Sequence, residues 1–231
     1  MAGKTLNHYT YIKLADPYWS LGPDQQRDAF LAMADAYRKV EATTHFYQVS
    51  PLKAEFDLLV WNALPLENKQ DEADFFGRLG QAQASARRFF QPVQALWGYT
   101  KPSVYSRAPS AQEIDPFTPH RDTYLVMYPF VKTIEWYLLG KDTRQGMMNE
   151  HIRVGHQYPE IKQLLLYSFG VQDQEFIVVY ETEDLYQFSE LVNELRSSDV
   201  REYTERDTPV VTGILRPVDV LSSLFNGGIP Q

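Results

Sequence analysis

The order of periodic segments in this chain occurs twice, and that repetition constrains the fold more than any single motif. Asn7 to Ala15 alternates Tyr9, Tyr11 and Lys13 against His8, Thr10, Ile12 and Leu14, the period of a strand. Gly22 and Pro23 then punctuate the chain before Asp24 to Val40, where Phe30, Met33, Ala34 and Tyr37 fall at helical spacing. Thr43–Val49 and Phe56–Leu64 are β-branched and aromatic runs joined by SPLKAE, which predicts a hairpin. Asn68 to Phe90 carries Phe75, Phe76, Leu79, Ala82, Ala86 and Phe89 on one helical face and stops before Pro92; Leu96 to Ser106 reads as a further strand. After a polar connector over 107–121, the order returns. A strand is expected from Asp122 to Leu138, a helix from Thr143 to His156, and strands at Lys162–Phe169 and Glu175–Glu181. A helix at Asp184–Arg196 and a strand at Pro209–Leu215 complete it. The expected fold class is therefore α+β, with duplicated ferredoxin-like βαββαβ repeats whose antiparallel sheets are covered by helices. The corresponding domains are 1–106, without a cofactor site, the connector 107–121, and 122–231, with one.

The chemistry-bearing residues concentrate between Tyr124 and Tyr167. On a strand, Tyr124, Val126, Tyr128, Phe130 and Lys132 share a face, so a phenol and an ammonium point into one space. Trp136 joins that face if the strand continues without a bulge. The next helix is expected to open at Asp142, with Gln145 completing a capping box, and to end around Gly155 and Pro159. On it, His151 stacks with Met147 and Met148 one turn back and with Val154 and Gly155 one turn on, so its ring leaves from the apolar face. His156 is five positions on and rotated away, which excludes an i, i+4 metal pair with His151. Such a histidine is either a hydrogen-bonded core residue or an axial ligand to a flat apolar cofactor whose macrocycle already holds iron. The corresponding helix of the first repeat, DQQRDAFLAMADAYRKVE, has no histidine and packs with Phe, Met, Ala and Tyr, which favours the ligand reading in the C-terminal repeat alone. After Pro159, Gln163, Leu165 and Tyr167 share one strand face.

Composition narrows the chemistry. With no cysteine there is no disulfide, thiolate ligand or iron–sulfur cluster, so a metal must be held by His, Asp, Glu or Tyr. A net charge of −8 argues against a nucleic-acid partner. An anionic substrate would need a locally basic pocket, for which Lys132, Arg153, Arg121 and Arg107 are candidates. No stretch approaches a membrane-spanning apolar run and the first residues lack a signal-like apolar core, so a soluble, cytoplasmic protein is expected.

The motifs YPFVKTIEWYLL, Glu150 and His151 followed by Gly155 and Tyr158, then SFG, QEF, ELRSSDVR and TPVVTG resemble those of the chlorite dismutase family of haem proteins. Within it they are most similar to the coproheme decarboxylases, over about Tyr124 to Arg216. The resemblance implies a barrel-like core with outer helices, a homopentamer, an iron porphyrin (haem or coproheme) held by His151, and transient contact with a ferrochelatase. It implies that Asp199 bonds the second ring nitrogen of His151, and that Met147, Trp136 and Leu165 border the cofactor. Gln163 takes the distal position where chlorite dismutases carry arginine; Tyr128 and Lys132 match the residues that face the propionates. The implied oxidoreductase activity is hydrogen-peroxide-dependent decarboxylation of coproheme to haem b through a Tyr128 radical, with Lys132 handling protons. The sequence departs from the decarboxylases in its short connector and in having Thr208 and Pro209 near the last strand. Chlorite breakdown, weak peroxidase activity, and a non-enzymatic haem carrier or sensor are the alternatives.

Overall fold

A computed structural model describes residues 4–102, 104–105 and 111–226 of the chain. Arg107 and the end of the strand expected to reach Ser106 lie outside the described residues. In chain order the first elements are β1 (Thr5–Leu14), α1 (Asp16–Trp19), α2 (Pro23–Arg38), β2 (Thr43–Gln48) and β3 (Leu58–Pro65). They are followed by α3 (Asp71–Ala86), β4 (Phe90–Thr100), β5 (Tyr124–Lys132), α4 (Ile134–Leu138) and α5 (Lys141–Gly155). The last are β6 (Lys162–Tyr167), β7 (Phe176–Thr182), α6 (Leu185–Leu195), a 3-10 helix (Asp199–Tyr203), β8 (Thr204–Arg206), β9 (Val211–Leu215) and α7 (Val218–Phe225). It is an α+β fold of antiparallel strands and helices, organised as two compact units.

One unit comprises residues 1–97 and 212–231. Its strands run in the order β4-β1-β3-β2-β9. β1 and β3 are antiparallel with Tyr9 opposite Trp61, and β2 follows with Phe46 opposite Val60. Phe30, Met33 and Tyr37 of α2 and Phe75 and Leu79 of α3 are buried, as their three-and-four spacing requires. Each such side chain contributes about 1.5–3 kcal/mol by leaving water. The ring of Phe30 sits 5.5 Å from that of Phe90 and 6.3 Å from Phe225 of α7, a helix the periodicity did not disclose.

The other unit spans Gly98–Val211. β7 pairs antiparallel with both β6 and β5, setting Gln163 opposite Tyr180 and Tyr128 opposite Val178; β8 joins the end of β5. Val126 of β5, Val154 of α5, Ile161, Val178 and Tyr180 of β7, and Phe188 and Leu191 of α6 form one buried cluster. The end of β4 approaches β6 so closely that a Cβ on Gly98 would lie 2.6 Å from Ser168 Oγ and 2.8 Å from the Tyr167 carbonyl oxygen. Gly170 turns the chain between β6 and β7 with φ +72°, which explains the glycine of SFG.

Several boundaries differ from expectation. The strand expected to run to Leu138 ends at Lys132, because the Lys132 amide donates to Glu175 Oε2 (2.8 Å) and the Thr133 amide to the Tyr203 carbonyl (3.1 Å). Thr133 then starts α4, so Trp136 is helical and does not continue the Tyr128 strand face. α5 begins at Lys141 after Gly140, without a side-chain cap, in place of the Asp142–Gln145 capping box. The Gln145 amide instead donates to the Tyr105 carbonyl (3.1 Å) and to Asn149 Oδ1 (2.8 Å).

Candidate functional site

Among the described residues, the second unit holds every candidate side chain. β5 delivers Lys132 into a nearly closed space, where it is 8% exposed. Its Nζ donates to the Val200 carbonyl (3.3 Å) and to Thr204 Oγ1 (3.1 Å), and stands 4.8 Å from the centre of the Trp136 ring. Trp136 in turn packs at 5.7 Å on Tyr203. The short helix thus brings Trp136 to Lys132 by a route other than the strand face. Burial, reinforced by the charge of Arg201 and opposed by Glu175, lowers the Lys132 pKa to about 8. An ammonium so placed holds a proton at neutral pH and can release it.

His151 projects from the face of α5 that carries the half-buried Met147 and the buried Val154. Burial, with a smaller contribution from the Lys132 charge, lowers its pKa to about 4, so the imidazole is neutral at physiological pH. Its Nδ1 is buried and has no hydrogen-bond partner. The acidic residue expected to bond it, Asp199, is exposed: α6 ends at Leu195, and Asp199 opens the 3-10 helix that follows. That short helix turns its Val200 carbonyl to Lys132 instead.

Tyr128 is half-buried on β5, its ring 6.2 Å from that of Tyr180 on β7, and the two phenols share a hydrogen bond. Burial raises the pKa of both. On β6, Gln163 and Leu165 are exposed while Leu164 and Leu166 are buried, the alternation expected of that strand. Tyr167 closes the row and packs at 5.4 Å on Phe176.

The basic candidates divide. Arg121 is committed to Glu181, Nη1 to Oε1 3.1 Å with both side chains 2% exposed, and to the carbonyls of Asp115 and His120. It is therefore unavailable to an anionic substrate. Arg153 is exposed on the outer turn of α5, and His156 is exposed at its C-terminal end. Arg144 was not singled out in the sequence, yet it lies seven residues, two helical turns, before His151 on the same face. Its Nε is buried without a partner, and it makes no ion pair among the described residues. The heptad spacing from His151 was the available signal.

Among the described residues no cluster of three or more His, Cys, Asp or Glu could hold a bare metal ion. No helix among them is long and apolar enough to cross a membrane.

The fold recurs in known proteins. The structure superimposes on chlorite dismutase from Candidatus Nitrospira defluvii in complex with imidazole with a TM-score of 0.84, at 19% identity, covering 98% of this chain and 97% of that one. A single-site variant of the same enzyme gives 0.83 at 20% identity, covering 96% and 95%. These likenesses define the fold. The model of the family described as chlorite dismutase matches residues 24–216, and the chain belongs to that family. A curated relative, the coproheme decarboxylase of Mycolicibacterium smegmatis, is 28% identical over 170 residues, 72% of this chain and 70% of the relative.

Proposed function

We propose that this protein is a haem-family oxidoreductase that decarboxylates iron-coproporphyrin III to haem b at the expense of hydrogen peroxide. Two observations support the reading: a neutral His151 on α5 whose buried Nδ1 has no partner, and Gln163, exposed on β6, standing at the position where the family resemblance expects arginine in a chlorite-processing site. The residues would suit a porphyrin: an unprotonated imidazole at His151 to hold its iron, the apolar side chains of Met147, Trp136 and Leu165, and Arg144, whose Nε has no partner, for a carboxylate. The activity named for the mycobacterial relative supports the same reaction class.

When bound, the iron porphyrin supplies the oxidising chemistry, being both substrate and redox centre. The chain's residues do the rest. His151 would hold the iron through a ring nitrogen that needs no deprotonation. Tyr128 would give up an electron and a proton and then take a hydrogen atom from the propionate Cβ; the second electron would leave that carbon for the peroxide-oxidised porphyrin as the carboxylate departs as carbon dioxide, and a vinyl group would remain. Each propionate consumed takes up one peroxide and one proton and releases two waters. Lys132 holds the proton at Nζ, a role suited to its lowered pKa. Gln163 can donate to or accept from peroxide without adding charge. The reading carries with it a cytoplasmic homopentamer and two ferredoxin-like repeats. The order β4-β1-β3-β2 of the first unit supports the repeat.

The test is to load the purified protein with ferric coproheme and assay it in parallel for oxygen release from chlorite and for peroxide consumption. Peroxide-dependent conversion with negligible oxygen from chlorite is expected. Rapid oxygen evolution would transfer the assignment to chlorite breakdown, and tight binding without either activity to a carrier.

A further inference from the structure

The segment before β5 is fastened to the chain between α5 and β6 by one side chain. The Gln112 amide nitrogen donates to the Tyr158 carbonyl (2.9 Å), the Ile161 carbonyl (3.0 Å) and, at longer range, the Gly155 carbonyl (3.3 Å). Those oxygens belong to the last residue of α5, the turn after it, and the residue before β6. The Gln112 backbone carbonyl accepts from the Gln163 amide at 2.7 Å, and the Ile114 amide donates to the Gln163 carbonyl at 3.0 Å, a parallel bridge centred on Glu113 and Gln163. Both backbone polar groups of Gln163 are thus engaged by the connector rather than by β7. The buried Ile114 and the Arg121–Glu181 pair anchor the same segment further along.

We propose that Gln112 is a positioning residue for Gln163, setting the separation between the helix that carries His151 and the strand position that faces it. This rests on the reading of His151 and Gln163 as the two sides of a bound porphyrin. The loop from Gly155 to Ile161 carries tight turns of its own, the Tyr158 amide donating to the Gly155 carbonyl and the Ile161 amide to the Tyr158 carbonyl, each at 3.1 Å, and the Tyr158 hydroxyl ties it to Glu194 Oε1 (2.9 Å). An amide that donates to three points along it converts those turns into a fixed span. A side chain without donors leaves the turns and the Gln163 bridge to open locally, with the fold intact.

The experiment compares Gln112→Leu, which keeps the volume and removes the donors, with Gln163→Leu and the double variant. Amide hydrogen exchange of Gln163 and Ile114 is followed in the porphyrin-free protein, and peroxide-driven turnover in the coproheme-loaded one. We expect Gln112→Leu to exchange the Gln163 amide at least about tenfold faster. Its kcat should fall about tenfold with the KM for coproheme within about threefold, and the double variant should be no slower than Gln163→Leu. Unchanged exchange overturns the clamp. Faster exchange with wild-type turnover, where Gln163→Leu is impaired, overturns the positioning role while sparing the reading beneath it. Wild-type turnover in Gln163→Leu removes that reading and the proposal together. Should Gln112→Leu not fold, Gln112→Asn, whose amide falls one methylene short, is held to the same outcomes.

Discussion

Tyr128 and Tyr180 are hydrogen-bonded phenols on adjacent strands, rings 6.2 Å apart; burial raises the pKa of both, and their hydrogen bond raises that of Tyr180 further while offsetting part of the rise at Tyr128. The proposed chemistry needs Tyr128 to lose an electron, and a donor fixed on its oxygen governs where the accompanying proton goes. Tyr180→Phe should cost about 1 kcal/mol of stability, the ordinary worth of one hydrogen bond. In the loaded protein it should slow radical formation at Tyr128, read by freeze-quench EPR after peroxide addition. A radical that forms at the wild-type rate would reduce Tyr180 to a packing residue.

The titration of His151 follows from its burial. Its folded pKa, about 4, lies below that of the unfolded chain, so between pH 6.5 and 4 the unfolded state binds more protons and stability falls as pH falls through that window. Porphyrin affinity should stay nearly constant from pH 7 to 5. Lys132→Met should move the His151 pKa upward without restoring 6.5, since burial is the larger cause. NMR titration of the imidazole C–H signals checks both; a wild-type midpoint near 6.5 would contradict the buried placement.

Arg121 and Glu181 are a closed pair in which burial raises the Glu181 pKa to about 7 even beside the guanidinium, so removing Arg121 leaves a buried carboxyl that must take up a proton or stand unpaired. Arg121→Met is expected to cost about 3–5 kcal/mol by denaturant unfolding. Substituting both partners by apolar residues should cost much less. Equal losses in the single and double variants would show that the pair acts through something other than the stranded carboxylate.

Gly98→Ala places a methyl group against the Tyr167 carbonyl and Ser168 Oγ, which only a shift of β4 from β6 can relieve. A loss of about 1–3 kcal/mol is expected by thermal or denaturant unfolding. Gly146→Ala is the control, since nothing lies within 4 Å of its added methyl group.

Much of this was legible in the sequence because it is periodic. The alternation in β6 set Gln163 with Leu165 on the exposed face, and three-and-four spacing aimed His151 inward, whereas a register shift between Val131 and Lys132 interrupts the alternation at the end of β5. What escaped depends on contacts distant in sequence. Lys132 ends its strand because Glu175 captures its amide, and no local pattern in TIEWYLL distinguishes a short helix from an extended strand. Arg121 looked like a free cation until Glu181, sixty residues away, neutralised it. Asp199 lies on its own short helix because α6 stops at Leu195, and the clamp at Gln112 spans 49 residues to Ile161. Side chains that pair across such separations leave no trace in composition or period.

The central claim is tested most directly by anaerobic loading with ferric coproheme, stepwise addition of hydrogen peroxide, and mass analysis of the porphyrin after each step. The account predicts successive loss of two carboxyl groups as carbon dioxide, ending at haem b, with Tyr128→Phe binding the substrate but leaving its mass unchanged. A bound porphyrin that keeps its full mass through excess peroxide in the wild-type protein would contradict it.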